Sequence, residues 1–334
     1  MDNGLDKVEE VVVRKGIIPT LTFGTVIKYI ERYMIYLVLV LMMILLSFLS
    51  PHFLTLSNIL NVARQISIGA IVAFGMMVPL LAGEFDISVG SNMALASALV
   101  IGLIGRGGVY LAFLVALGAG LLIGLVNGLF NTKGKIPSFI VTLSTMGIVR
   151  GLVFLYTKGN SSMVAENAPD LFFVLGKGYI GPIPFPVIVM LVIFSICAFV
   201  LFWTKFGRHI YSIGGNRKAA HLFGINVDKH IIYAFMVSGF LSAFSGIMLA
   251  SRLSSTQPTA GTGAEFDALA AIVIGGTKLS GGKGSIARTL VGVFVIGLIN
   301  NGINLLGIET FYHTIIKGAI ILFAVLFDQL RERR

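Results

Sequence analysis

The chain has 334 residues, 56% apolar and 12% charged, with a mean hydropathy of +0.93. A soluble domain carries about 25% charged residues to meet water, so this composition excludes a water-soluble fold. The net charge of +10 would suggest nucleic acid on a soluble protein; in a membrane chain it predicts instead that Lys and Arg gather on one side.

A membrane span needs about 20 mainly apolar residues. In chain order the sequence yields ten candidates: 33–50, 60–82, 87–105, 109–131, 136–157, 187–204, 230–251, 264–276, 286–305 and 310–327. The expected fold class is therefore all-α, a polytopic membrane helix bundle. Residues 1–32 form a cytoplasmic N-terminal arm and lack the cleavage pattern of a secretory signal. Their stretch 17–32 reads equally as an interfacial helix or a solvated arm. Residues 33–328 form the transmembrane domain, with an outer loop at 158–186 and a cytoplasmic loop at 205–229; 329–334 is a cytoplasmic tail. With the N-terminus inside, eighteen Lys and Arg fall on the inner side and five outside: Arg64, Arg106, Lys158, Lys177 and Arg252. That bias supports ten spans with both termini cytoplasmic. The eighth span is too short for a simple crossing, which suggests a broken or re-entrant segment.

Span four carries Ala112, Ala116, Gly120, Gly124 and Gly128, a smooth stripe on which another helix packs closely. Span seven repeats the pattern with Ser238, Ser242, Gly246 and Ala250. The segments 123–131 and 296–304 resemble each other on spans expected to run in opposite directions, which suggests a five-plus-five inverted repeat. One cysteine, Cys197, excludes an intrachain disulfide and reads as a buried apolar residue.

No enzyme, metal or cofactor constellation is evident. The run 277–284 lacks the leading glycine and the Ser or Thr of a phosphate-binding loop, so it reads as a flexible basic turn. Energy for active transport must then come from another subunit.

Three segments stand out. In 83–92, Asp86, Ser88, Ser91 and Asn92 either cap the third span or line a pathway, since acids near membrane depth face a cavity or a partner. In 206–226, Asn216 is a helix N-cap and Gly224 a helix stop. The helix between them holds Ala219, Ala220, Leu222 and Phe223. It is too short to stand alone in water and wants a groove. Arg217 and Lys218 oppose its dipole, which suggests an anionic partner surface. In 257–276, Glu265 and Asp267 sit at the head of the short eighth span, where the dipole favours them and a broken helix points to a pathway. The acids lie at span ends, whereas an ion-coupled secondary transporter, the alternative reading, would hold them in mid-span.

At these segments the chain resembles the permease subunits of bacterial ABC importers for monosaccharides, of the ribose-permease type. The family pattern Gly-Gly-Ile-Asp-Leu-Ser-Val-Gly-Ser is matched by 83–91, with Glu84 in place of glycine and Phe85 in place of isoleucine. Further matches fall at 136–143, Arg150, Gly151, 207–226, Gln257, Pro258, 261–267, 274–276, Asn301 and Gly302, so the likeness covers about residues 53–328. It implies a bacterial inner-membrane importer built from two permease copies or paralogues, a cytoplasmic ABC ATPase and an extracytoplasmic solute-binding protein. The cargo would be a sugar-like solute, with no nucleic acid involved. The helix at 216–224 would be the coupling helix, with Arg217 and Lys218 facing the ATPase and Ala219, Ala220 and Leu222 letting it sit close.

Overall fold

The computed structural model describes residues 23–309, with side chains from residue 34, and isolated positions between 312 and 326. The tail at 329–334, most of the arm at 1–32 and most of the expected tenth span at 310–327 lie outside the described residues. The helices are α1 (Phe23–Leu49), α2 (Leu56–Leu81), α3 (Val89–Thr132), α4 (Ser138–Thr157), α5 (Asp170–Lys177), α6 (Phe185–Trp203), α7 (Lys205–Gly215), α8 (Arg217–Leu222), α9 (Val227–Leu253), α10 (Ala264–Ile274) and α11 (Ile286–Leu305). Two short antiparallel ribbons complete the fold: β1 (Ser162–Met163) pairs with β4 (Ser255–Thr256), and β2 (Tyr179–Ile180) with β3 (Ile183–Pro184).

Among the described residues, α2, α3, α4, α6, α9 and α11 are long and apolar enough to cross a membrane. The 44-residue α3 is two helices joined at a kink, and they correspond to expected spans three and four. At 1.5 Å per residue it would run about 66 Å, roughly twice the thickness of a hydrocarbon core. Gly108 breaks it, with φ 77° and ψ 171°, a conformation that a side chain would strain. The expected eighth span is α10, eleven residues long or about 16 Å, which is too short to cross. Positive φ at Gly261, Gly263 and Gly276 breaks the chain on both sides of it.

The core forms where apolar helices lose contact with lipid. From Ile68 onward helix α2 is apolar all round, as a buried helix must be, and Ala70, Ile71, Phe74, Met76 and Met77 are fully enclosed. Helix α6 is apolar but exposed at Leu191, Val192, Ile196, Phe199 and Phe202, the surface a bilayer would cover. Helix α9 runs along both parts of α3. A Cβ added at Gly124 would fall 2.2 Å from the Phe235 carbonyl oxygen, and one at Gly120 would fall 2.4 Å from the Ala243 Cβ. The second part of α3 thus meets Ile232, Phe235, Gly239 and Ala243. The stripe expected on span seven faces elsewhere: Gly246 meets the Met93 backbone in the first part of α3.

Candidate functional site

Helix α8 has six residues and is closed at both ends. The Asn216 side chain accepts from the Ala219 N–H at 3.0 Å. At the far end Gly224 takes φ 81°, its N–H donates to the His221 carbonyl, and the Ile225 N–H donates to the Ala220 carbonyl. That paired closure is the left-handed glycine cap that ends many helices. Ala220 is 3% exposed and faces its own chain, whereas Leu222 and Phe223 are 85% and 86% exposed. Lys218 is exposed and Ala219 half-buried. Arg217 turns inward, and its guanidinium donates to Glu84 Oε1 at 2.8 Å. Ala220, expected to let the helix sit close to a partner, is instead packed against its own chain, whereas the paired Arg217 side chain stays 50% exposed. Leu222 and Phe223 project outward, because a helix this short presents one face inward and leaves its last turn free.

The segment between α2 and α3 is tied at Ala82 through Asp86 and at Ser88. The N–H groups of Gly83 and Glu84 donate to the carbonyls of Leu80 and Pro79. The Phe85 N–H donates to Ser138 Oγ at 3.0 Å, and Thr142 Oγ1 donates to the Phe85 carbonyl at 3.3 Å. Asp86 is 1% exposed. Its Oδ1 accepts from the Ser88 N–H and hydroxyl, and its Oδ2 from the Ser238 hydroxyl. Asn127 Nδ2 donates to Ser88 Oγ at 3.0 Å, and Thr145 Oγ1 donates to Asn127 Oδ1 at 2.7 Å. Ser91 bonds back to the Ser88 carbonyl, and Asn92 reaches the Gly239 carbonyl on α9. Ser88 occupies the N-cap position of α3 yet makes no capping bond. Ser238 lies eleven residues into α9, about 16 Å along its axis. Asp86 is thus sunk within the bundle, although in sequence it stands at a span end.

Backbone packing joins three loops below this network. The Gly282 N–H donates to the Leu81 carbonyl, and Tyr211 Oη donates to the Gly284 carbonyl. A Cβ at Gly214 would stand 2.0 Å from the Leu81 oxygen. The run 277–284, expected to be flexible, is instead seated against the ends of α2 and α7.

Glu265 is 6% exposed. Its Oε1 accepts from the Gly263 N–H, and its Oε2 has no hydrogen-bond partner among the described residues. That oxygen would lie 2.1 Å from a Cβ at Gly90, so the first and third segments meet there. Arg150 interacts electrostatically with Glu265 and donates to the carbonyls of Pro258 and Ala260 at 2.8 Å each. Asp267 accepts from Asn300 Nδ2 at 3.2 Å. Both line a cavity of about 140 Å³ between α2, α10 and α11, with Gln65 as its third polar wall and Ile66, Met93 and Ile296 among the apolar ones.

Asn127 and Asn300 were not singled out from the sequence; Ser238 was named only as a packing position and Glu84 only as a departure from the family pattern. A signal was there: Glu84-Phe85-Asp86 recurs as Glu265-Phe266-Asp267. Asn127 and Asn300 hold equivalent places in the two similar segments 123–131 and 296–304. Each bonds to the acidic segment of its own half, Asn127 through Ser88 and Asn300 through Asp267.

A multi-pass apolar bundle with a polar cavity, a buried acid network and a small exposed helix is the membrane component of a transport system. The chain belongs to the family described as branched-chain amino acid transport system / permease component, which matches residues 58–325. It is 47% identical to the ribose import permease protein of Bacillus subtilis (strain 168), over 89% of this chain and 92% of that one. Against the ribose import permease protein of Haemophilus influenzae the identity is 43%, over 88% and 91% of the two chains. Against the L-arabinose ABC transporter permease protein of Azospirillum brasilense it is 37%, over 96% and 94%. No solved structure matches the chain. The protein is a permease subunit of ABC-importer type in the bacterial cytoplasmic membrane and is not itself the catalyst; the ion-coupled alternative is not favoured.

Proposed function

We propose that this chain, paired with a second copy or a paralogue, forms the pathway of an importer for a monosaccharide or a similar small polar solute. A separate cytoplasmic ABC ATPase drives it, and an extracytoplasmic binding protein delivers the solute to the outer face, including 158–186. Ten spans in a five-plus-five inverted repeat, with both termini cytoplasmic, fit this role. The recurrence of Glu-Phe-Asp with an Asn partner in each half supports the repeat. The names of the relatives support a sugar. Asp267, Asn300 and Gln65 present a carboxylate and two amides in an otherwise apolar cavity, and such groups exchange hydrogen bonds with hydroxyls.

The observation that carries the reading is the helix α8 tip. Leu222 and Phe223 project from a doubly capped helix on the basic loop 205–229, and apolar groups held out in water mark a docking site. ATP-driven closure of the ATPase pair would push on this tip. In this reading Asn216 and Gly224 bound the coupling helix, Lys218 and Ala219 flank its contact, and Arg217 anchors it. Asp86, Ser88, Ser91, Asn92, Glu265 and Asp267 serve the pathway, directly or by holding its walls. The test is reconstitution in vesicles with the ATPase and binding protein encoded beside it, using labelled D-ribose as probe. Uptake that needs ATP and all subunits is expected. Uptake by the purified chain alone, without ATP, would sink the reading.

A further inference from the structure

Glu84 departs from the glycine of the family pattern, and its placement gives the departure a purpose. Its side chain is 8% exposed, and its two oxygens reach two different elements. Oε1 takes Arg217 of α8 at 2.8 Å, and Oε2 takes Asn131 Nδ2, near the end of α3, at 3.1 Å. A buried charge persists only when it is paired and hydrogen-bonded. Arg217 is 50% exposed, so the buried partner is the carboxylate; in a second ion pair, Lys133–Asp228, both sides are open, at 68% and 40%.

We propose that the Glu84–Arg217 pair is a strut that passes movement of helix α8 to the buried Asp86 network. Glu84 is then a positioning residue, and this inference rests on reading α8 as the ATPase contact. A single residue separates Glu84 from Asp86. Between them, Phe85 is bonded through both its N–H and its carbonyl to α4, so the loop has little slack to absorb a pull on the carboxylate. Asp86 in turn holds α9 through Ser238. Displacing Arg217 would therefore shift the α2–α3 loop, α4 and α9 together, or would strand a buried carboxylate. Either result links the state of α8 to the centre of the bundle.

The test uses the full permease–ATPase–binding protein complex in vesicles, with labelled D-ribose and ATP hydrolysis read together. Glu84→Gln should keep the ATPase bound and its basal hydrolysis intact, while solute moved per ATP falls about five-fold or more, and Arg217→Gln should lower solute moved per ATP to the same extent. Arg217→Lys, which keeps the charge, should retain at least half. The double variant Glu84→Gln with Arg217→Gln should be no worse than either single change, because one interaction has been removed once. Unchanged coupling in the single variants, or losses that multiply in the double variant, would overturn the strut. Failure of the wild-type chain to hold an ATPase would instead overturn the reading beneath it.

Discussion

Asp86 Oδ2 accepts a 2.7 Å hydrogen bond from the hydroxyl of Ser238, a residue 152 positions along the chain. The contact fastens the loop before α3 to the interior of α9. Ser238→Ala would leave a fully buried carboxylate oxygen without its donor. An unsatisfied buried group costs about 1–3 kcal/mol, so the variant should melt at lower temperature in detergent. Asp86→Asn should lower uptake while the ATPase stays bound; full uptake in that variant would reduce Asp86 to a loop staple.

The helix α8 tip separates folding from docking. Leu222 and Phe223 touch little of their own chain, so Leu222→Ser and Phe223→Ser should leave insertion and melting unchanged. Copurification of the ATPase should fall about ten-fold. Ala220→Glu places a charge at a buried site and should lower the amount of folded permease as well. Copurification at the wild-type level in both tip variants would remove Leu222 and Phe223 from the interface.

Close backbone approach predicts where glycine is required. A Cβ at Gly124 collides with the Phe235 carbonyl at 2.2 Å, and overpacking a tight contact costs about 1–3 kcal/mol or more. Gly124→Val should sharply reduce folded protein in the membrane. At Gly147 an added Cβ meets nothing within 4 Å, so Gly147→Ala should fold as well as wild type, helped by better helix propensity. Fluorescence-detected size exclusion distinguishes the two.

The cavity polar groups should act on solute more than on stability. Asn300→Leu removes the donor to Asp267 and one wall amide of the cavity. The expected outcome is an uptake KM raised several-fold with the ATPase still bound. An unchanged KM in this variant would take the cavity out of the solute path.

His209 offers a pH dependence with a definite sign. Its Nδ1 stands 2.9 Å from His230 Nε2, and His230 Nδ1 meets the Asn226 carbonyl at 2.7 Å. Desolvation, then the neighbouring His230, Arg208 and Lys205, hold the His209 pKa below its ordinary 6.5. The unfolded chain then binds the proton more readily than the folded one. The stability contribution is complete above the ordinary histidine value and is lost as pH falls through the lowered one. Thermal melts between pH 8 and pH 5 should show a loss on the acid side that His209→Asn makes smaller.

Much of the bundle was legible in one dimension. Lipid demands long apolar helices, so residues 286–305 coincide with α11, and 136–157 and 187–204 fall within two residues of α4 and α6. The limits of α8 were legible too, because Asn216 and Gly224 carry their capping chemistry with them. Direction was not legible. Nothing in the order of residues says that Ala220 faces inward while Leu222 and Phe223 face out, since that depends on which neighbour the first turn meets. The break at Gly108 was legible, since it falls in the gap between expected spans 87–105 and 109–131.

The sequence by itself determined solvent, class and the limits of α8, because hydropathy, family motifs and helix caps are local properties. Tertiary structure alone decided which polar groups share a site. Glu84 and Arg217 are 133 residues apart, and Asp86 stands at a span end in sequence yet deep in the bundle in space. Those pairings arise when α9 lies along α3 on side-chain-free glycine surfaces. Only that packing brings the acid loop, the interior of α9 and the small helix within hydrogen-bond reach.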